Sequence, residues 1–254
     1  LLLKHAGQAT RAGDVAWREY LVRRALEFNP TDLNVLMEMA ALLQATGRQA
    51  EALTYLRQHE TLAPGDHHGL VEQGRCLTEL GRLDEAEAVL RRAVQVRDAA
   101  AEYNLAVVLD ERGRWDEAKA RYQRSLDIDP FHTRALNNLA VGLARRGQSV
   151  AALPYFARAV KVAPNDAEFR ANYGSALIQL RRLDEALAML TTAVGLDPRS
   201  TTAHNNLGIA LAQRGDLARA RDEFARAVQI DPRHEDAQRN LARVTALLQA
   251  QGVR

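Results

Sequence analysis

Of the 254 residues, 47% are hydrophobic but only 5% are aromatic, so any core must be assembled largely from small side chains. Lys and Arg total 34 against 32 Asp and Glu, a formal net charge of +2 with both signs interspersed, which argues against nucleic-acid binding because that usually needs a concentrated basic face. No apolar run reaches the roughly 18 residues of a membrane span, and the lone Cys76 excludes an internal disulfide.

The chain opens on Leu1-Leu2-Leu3, too short for a signal-peptide core and without a preceding basic segment. It starts inside a repeating pattern, so the expectation is a processed protein or an excised fragment. A small residue following a large or polar one recurs as Ala6, Ala40, Gly74, Ala106, Ala140, Gly174, Gly208 and Ala242, at intervals of 34 residues except for a single 32. Units therefore run 1–32 (partial), 33–66, 67–98, 99–132, 133–166, 167–200 and 201–234, with a capping helix in 235–254. The unit at Thr201–His234 is the clearest: Asn206-Leu207-Gly208, Gly215, Ala220, Phe224, Ala227 and Pro232. A fixed period in this range predicts stacked helical pairs, each burying its face on its neighbours.

Within each unit a first helix follows a loop such as Asn29-Pro30-Thr31-Asp32 or Ala163-Pro164-Asn165-Asp166. The Pro cannot continue the preceding helix, and the adjacent Asp or Asn can cap the next. Gly47, Gly81, Gly113, Gly147 and Gly215 separate first from second helices, where a left-handed residue closes the turn. Arg181 replaces that Gly in the unit 167–200, which predicts a tighter or slightly strained turn. The acidic pairs Asp84-Glu85, Asp116-Glu117 and Asp184-Glu185 then open second helices with favourable dipole charge. In the unit 133–166, Ser149 reads as the N-cap and puts Pro154 near the end of the first turn, at little hydrogen-bonding cost. Arg18 and His59 stand where later units place Ala, so looser packing is expected there. The loop Gln95–Ala99 lacks the Pro and two residues, which predicts a local change of twist near Arg97 or a deletion without effect. Asp236 to about Gln249 forms the terminal cap, with Leu241, Val244, Leu247 and Leu248 on one face.

These anchors resemble the tetratricopeptide repeat family: Leu207-Gly208, Tyr173-Gly174 and Leu139-Ala140 on first helices, Ala220, Ala186 and Ala152 on second helices, and a closing Pro. The resemblance covers nearly the whole chain. It implies an all-α, right-handed superhelical solenoid of antiparallel helix pairs, about seven repeats and a capping helix forming one domain over 1–254.

Catalytic chemistry has no support. The seven histidines are scattered, and neither HExxH nor a cysteine pair occurs. His67-His68 reads as an exposed loop pair and Cys76 as a small buried residue. The glycines recur as repeat turns, not as a phosphate loop. No enzyme activity, metal or cofactor is expected.

The resemblance implies that the first helices line a concave groove that binds partners. Counting the small anchor as position 8, position 6 reads Asn104, Asn138, Asn172, Asn206 and Asn240, whereas the two preceding units carry Glu38 and Glu72. A carboxamide offers a donor and an acceptor, the same pair as a peptide bond, so a row of them can hold an extended backbone without reading side chains. With inner helices about 8–10 Å apart and a strand rise of roughly 3.3 Å, each repeat spans about three peptide residues. Such a series resembles the asparagine ladder in the tetratricopeptide arm of O-linked N-acetylglucosamine transferases. Asn is also common at this position in the repeat consensus, so local or water contacts are the competing reading. Position 5 adds Tyr103, Asn137, Asn205 and Arg239 to the groove, and Arg134, Arg145 and Arg243 add basic points. The Lys/Arg–Asn–Lys/Arg clamp of chaperone-binding relatives is missing, because position 5 holds no Lys and position 6 no Arg in any full unit.

The expected function is a non-catalytic module that binds an extended peptide or protein segment. The alternatives are the substrate-recruiting arm of a larger enzyme, such as a glycosyltransferase, and a self-assembling scaffold. No nucleic acid and no membrane insertion are expected. Compartment and oligomeric state carry no signal in the sequence.

Overall fold

The computed structural model describes residues 15–252, and within them the chain is all-α: fourteen helices and no strand. Leu1–Leu3, His5 and the anchor Ala6 lie outside the described residues. The chain forms two compact units, Leu1–Pro130 and Phe131–Arg254.

In the first unit, α1 (Val15–Phe28) precedes three helical pairs: α2 (Leu33–Ala45) with α3 (Gln49–Leu62), α4 (His67–Glu79) with α5 (Leu83–Ala93), and α6 (Ala99–Glu111) with α7 (Trp115–Ile128). In the second unit the pairs are α8 (Thr133–Arg145) with α9 (Ser149–Val162), α10 (Ala167–Gln179) with α11 (Leu183–Leu196), and α12 (Thr201–Arg214) with α13 (Leu217–Ile230), followed by α14 (Glu235–Ala250). Each of α2 to α13 thus occupies one half of a repeat, and within each unit every pair packs on the next.

First helices start on side-chain caps. Asp32, Asp66, Asp98 and Asp166 accept hydrogen bonds from backbone N–H groups two or three residues on, and Ser200 does the same for α12. Two caps are histidines: Nδ1 of His132 accepts from Ala135 N–H, and Nδ1 of His234 from Ala237 N–H, each at 3.2 Å. A neutral imidazole has one bare ring nitrogen, which makes it an acceptor like the Asp oxygen. Most second helices start differently. Arg48, Arg82, Arg114 and Arg182 occupy the cap position without capping, and each guanidinium pairs instead with the Glu three residues on, at 2.6–2.7 Å. The acidic first turn expected of these helices is therefore bracketed by a cation as well as by the helix dipole.

The turns between paired helices adopt the left-handed conformation at all five expected glycines, with φ from 71° to 96°. Arg181 adopts it too, at φ 59°, and no other non-glycine described residue has positive φ. At the helix crossing, Gly208 has a different reason to be glycine: a Cβ there would stand 2.6 Å from the Phe224 ring. Phe224 is 1% exposed, so the ring fills the space that glycine leaves.

Three expectations change. Gln148, not Ser149, is the cap residue of α9, and the Ser149 hydroxyl donates instead to Gln179 Oε1 on α10. Pro154 is consequently the sixth helical residue, past the first turn, where its missing N–H removes an i→i−4 bond to Val150. Val150 itself is exposed on the surface of the helix. The packing at His59 is not loose: the ring is 4% exposed and lies against Gly69, where a Cβ would come within 2.7 Å of Nδ1. The next unit carries Ala93 and Ala101 at the same two places, so the larger residue is matched by a smaller one opposite. The short interval is absorbed by α5, which spans 11 residues where α7, α9, α11 and α13 span 14, and Asp98 still caps α6.

Candidate functional site

In the second unit the position-6 asparagines project from α8, α10, α12 and α14. Asn138, Asn172, Asn206 and Asn240 are all half-buried, reachable by solvent but anchored on first helices. The position-5 asparagines behave differently: Asn137 is 3% exposed and Asn205 7%. Both are used across the repeat boundary. Asn172 Nδ2 donates to Asn137 Oδ1 at 3.2 Å, and Asn240 Nδ2 donates to Asn205 Oδ1 at 3.0 Å. Asn137 Nδ2 also donates to Asn138 Oδ1 at 3.3 Å.

These bonds fix which way two rungs face. Each carboxamide NH₂ has two protons and its oxygen two lone pairs. With one N–H of Asn172 and one of Asn240 turned to the preceding repeat, the other N–H and the oxygen stay available to a ligand. Asn206 has no hydrogen-bond partner among the described residues, because position 5 of the preceding unit is Ala171, which cannot offer an acceptor. The second unit therefore alternates tethered rungs with an untethered one at Asn206.

Of the arginines expected in this unit, Arg134, Arg145 and Arg243 are exposed with no ion-pair or hydrogen-bond partner among the described residues. Arg239 is exposed but pairs with Asp236, whose carboxyl is held below the usual range by hydrogen bonding to that guanidinium. Tyr173 stacks on Phe156 at 5.9 Å between ring centroids. His204 on α12 bonds Glu223 through Nδ1 at 2.7 Å and so ties α12 to α13. Its place in the repeat carried no prior signal.

The first unit has a different floor. Asn104 Nδ2 donates back to Ala100 O of its own helix at 2.9 Å, and Tyr103 lies tilted on Tyr122, with centroids 6.1 Å apart. Glu38 pairs with Arg18, and Glu72 with Arg75 at 2.6 Å. These four charges sit at or beside a cavity of about 1050 Å³ that Gln44 and His59 also line. Of its carboxylates, Glu38 and Glu72 are paired with arginine and Asp66 caps α4 by accepting from Gly69 N–H, while Cys76 accepts from Gln44 Nε2 and burial pushes its thiol up. Neither a His/Cys/Asp/Glu group able to hold a metal ion nor a helix long and apolar enough to cross a membrane occurs among the described residues.

The sequence matches models of the tetratricopeptide repeat over residues 65–130, 97–165, 139–199 and 173–235, which together run from 65 to 235, well over half of the chain. No curated protein matches it. Among solved structures it resembles a chain of the APC/C hetero-tetramer Cut9-Hcn1, at 18% identity and TM-score 0.81 over 94% of this chain. The match covers 48% of that chain, so this sequence spans about half its length. A tetratricopeptide repeat protein from Parabacteroides merdae matches at 16% identity and TM-score 0.71, over 96% of this chain and 97% of that one. YrrB, a TPR protein with an unusual peptide-binding site, matches at 23% identity and TM-score 0.51, over 86% of this chain and 96% of its own. At these identities the likeness is one of fold.

Proposed function

This chain belongs to the tetratricopeptide repeat family, and from that premise we propose that its second unit holds an extended peptide on the asparagines of α8, α10, α12 and α14. Repeats of this family are protein–protein interaction modules. The reading offered for this one is non-catalytic, and the ligand is held by its backbone. The observation that carries it is the state of the carboxamides. Asn206 is half-buried with no partner, and Asn172 and Asn240 are tethered through a single N–H each. A half-buried carboxamide without a protein partner keeps a donor and an acceptor open to a ligand's peptide group, which offers the same pair. Asn137 and Asn205 act in this reading as supports beneath the rungs, not as contacts to the ligand. Arg134, Arg145 and Arg243 favour a segment with acidic residues. The fold shared with YrrB, itself a protein with a peptide-binding site, is compatible with this use.

Panning a random dodecapeptide library on the chain supplies the probe. The enriched peptide is then titrated against the wild type and against the variant carrying Asn138→Ala, Asn172→Ala and Asn206→Ala. Each lost hydrogen bond is worth about 0.5–1.5 kcal/mol, so affinity should fall roughly 10- to 1000-fold. N-methylation of alternate peptide amides should weaken binding comparably, while Ala substitution of most peptide side chains should not. Unchanged affinity in the triple variant would overturn the ladder.

A further inference from the structure

At the last repeat boundary of the second unit a cavity opens beside Asn240. Between α12, α13 and α14 lies a cavity of about 310 Å³ walled by Leu217, Phe224, Val244 and Leu247, with Asn240 and Arg243 also lining it. At the boundary between α9 and α10 the residues equivalent to Leu217 and Leu247 are Ser149 and Gln179, and they close on each other by a hydrogen bond. At the last boundary both members are leucine and no polar closure forms. Leu247 is left 47% exposed at a position where the three preceding units carry Arg145, Gln179 and Gln213. A large apolar side chain held half in water beside a cavity marks a place where apolar surface remains to be buried.

We propose that this cavity is a side-chain pocket that gives the groove sequence preference: it takes one large aliphatic side chain of the extended ligand, with a Glu or Asp side chain nearby on Arg243. The inference rests on the peptide-binding reading above, since Asn240, at the cavity, is what would hold the backbone in register. The charge follows from Arg243, an exposed guanidinium without a partner among the described residues, whereas Arg239 one turn away is satisfied by Asp236. In an extended segment residues two apart share a face, so the acid belongs two positions from the aliphatic residue. A volume of 310 Å³ accommodates a leucine-sized side chain with its β-carbon and adjoining backbone.

The probe is the symmetric heptapeptide acetyl-Ser-Glu-Ser-Leu-Ser-Glu-Ser-amide, which presupposes no chain direction, titrated into ¹⁵N-labelled full-length chain and followed by NMR. The expected result is saturable shifts at Val244, Leu247 and the Asn240 side-chain amide. Affinity should drop about tenfold when the peptide Leu becomes Ala and about two- to fivefold when both Glu become Gln. Leu247→Gln installs the residue that the preceding unit carries at this position, so the fold should tolerate it. That variant should cut the Leu-over-Ala preference to about threefold or less, with an unchanged melting temperature as the control for folding. The Glu-to-Gln effect should vanish in Arg243→Gln. Shifts at the Asn206 and Asn240 side chains that ignore the Leu-to-Ala change would overturn the pocket and leave the ladder standing. No shift anywhere would overturn both. Equal or tighter binding of acetyl-Ser-Gln-Ser-Leu with a free carboxylate would overturn the assignment to an acidic side chain in favour of a chain terminus.

Discussion

Arg181 shows how a single position can depart from the repeat and still keep its geometry. It holds φ at 59° where five other turns use glycine. Left-handed backbone costs a non-glycine residue of order 1–2 kcal/mol, and the turn forces it because Arg181 N–H and Arg182 N–H must reach the Ile178 and Leu177 carbonyls at 3.0 Å. The guanidinium recovers little, through an exposed hydrogen bond to Gln213 at 3.1 Å. Arg181→Gly should therefore stabilise the chain by about 0.5–1 kcal/mol after the entropy glycine adds to the unfolded state. The rise in the chemical-denaturation midpoint at unchanged slope measures it, and a fall would show the Gln213 bond to outweigh the strain. That strain was legible in the sequence because a missing Gly in a regular series announces itself. The burial of Asn137 and Asn205 was not. Each owes it to an Asn 35 residues later, on the neighbouring first helix, and a one-dimensional reading assigns both to the groove floor with the rungs.

At the scale of elements, Glu87 is the polar junction of the first unit. It lies on α5, 8% exposed, and its carboxylate meets Arg91 of the same helix together with Arg112 and Arg114 of the α6–α7 turn, at 2.7–2.8 Å. Burial pushes the carboxyl up, but the hydrogen bonds from Arg91 and Arg114 more than offset this and hold it below its ordinary 4.5. A carboxyl whose value is depressed by folding stabilises the folded state fully above the unfolded value. That contribution fades as pH falls from about 4.5 through the lower folded value. Glu87→Gln should cost about 1–2 kcal/mol near neutral pH, the low end for a charged hydrogen-bonded group because the guanidiniums are half-exposed. The gap between wild type and variant in urea denaturation should then narrow toward zero on acidification below roughly pH 4. A gap independent of pH would mean that shape, not charge, is what Glu87 supplies. The helices themselves were legible from 34-residue anchors, Pro loops and Gly turns. How they begin was less so: histidine caps at α8 and α14, and arginine–glutamate brackets on four second helices, need a geometry that composition does not show. Ser149 misled for the same reason, since its partner Gln179 sits on the following helix.

For the molecule as a whole, stability in a repeat array is local: each helix pair is held by its own packing and by its immediate neighbours. Within the second unit, α12 packs against α10, α11, α13 and α14, whereas α14 packs chiefly against α13 and less against α12. The difference shows in burial. α12 buries Ala203, His204, Asn205, Leu207, Gly208, Ala210 and Leu211, while the longer α14 buries only Ala237, Val244 and Leu248. Amide exchange requires opening, and the free energy of opening follows the apolar contacts that hold a segment. The backbone N–H groups of α14 should thus exchange at least tenfold faster than those of α12, a difference of about 1.4 kcal/mol or more in opening free energy. Hydrogen-exchange mass spectrometry on the free chain reads this directly. Adding the library-selected dodecapeptide should slow α14 more than α12, because a ligand bound to a segment that opens locally suppresses that opening by mass action. Equal protection of the two helices would mean that the array opens as one cooperative body, and Asn240 would then be as firmly placed before the ligand arrives as Asn206.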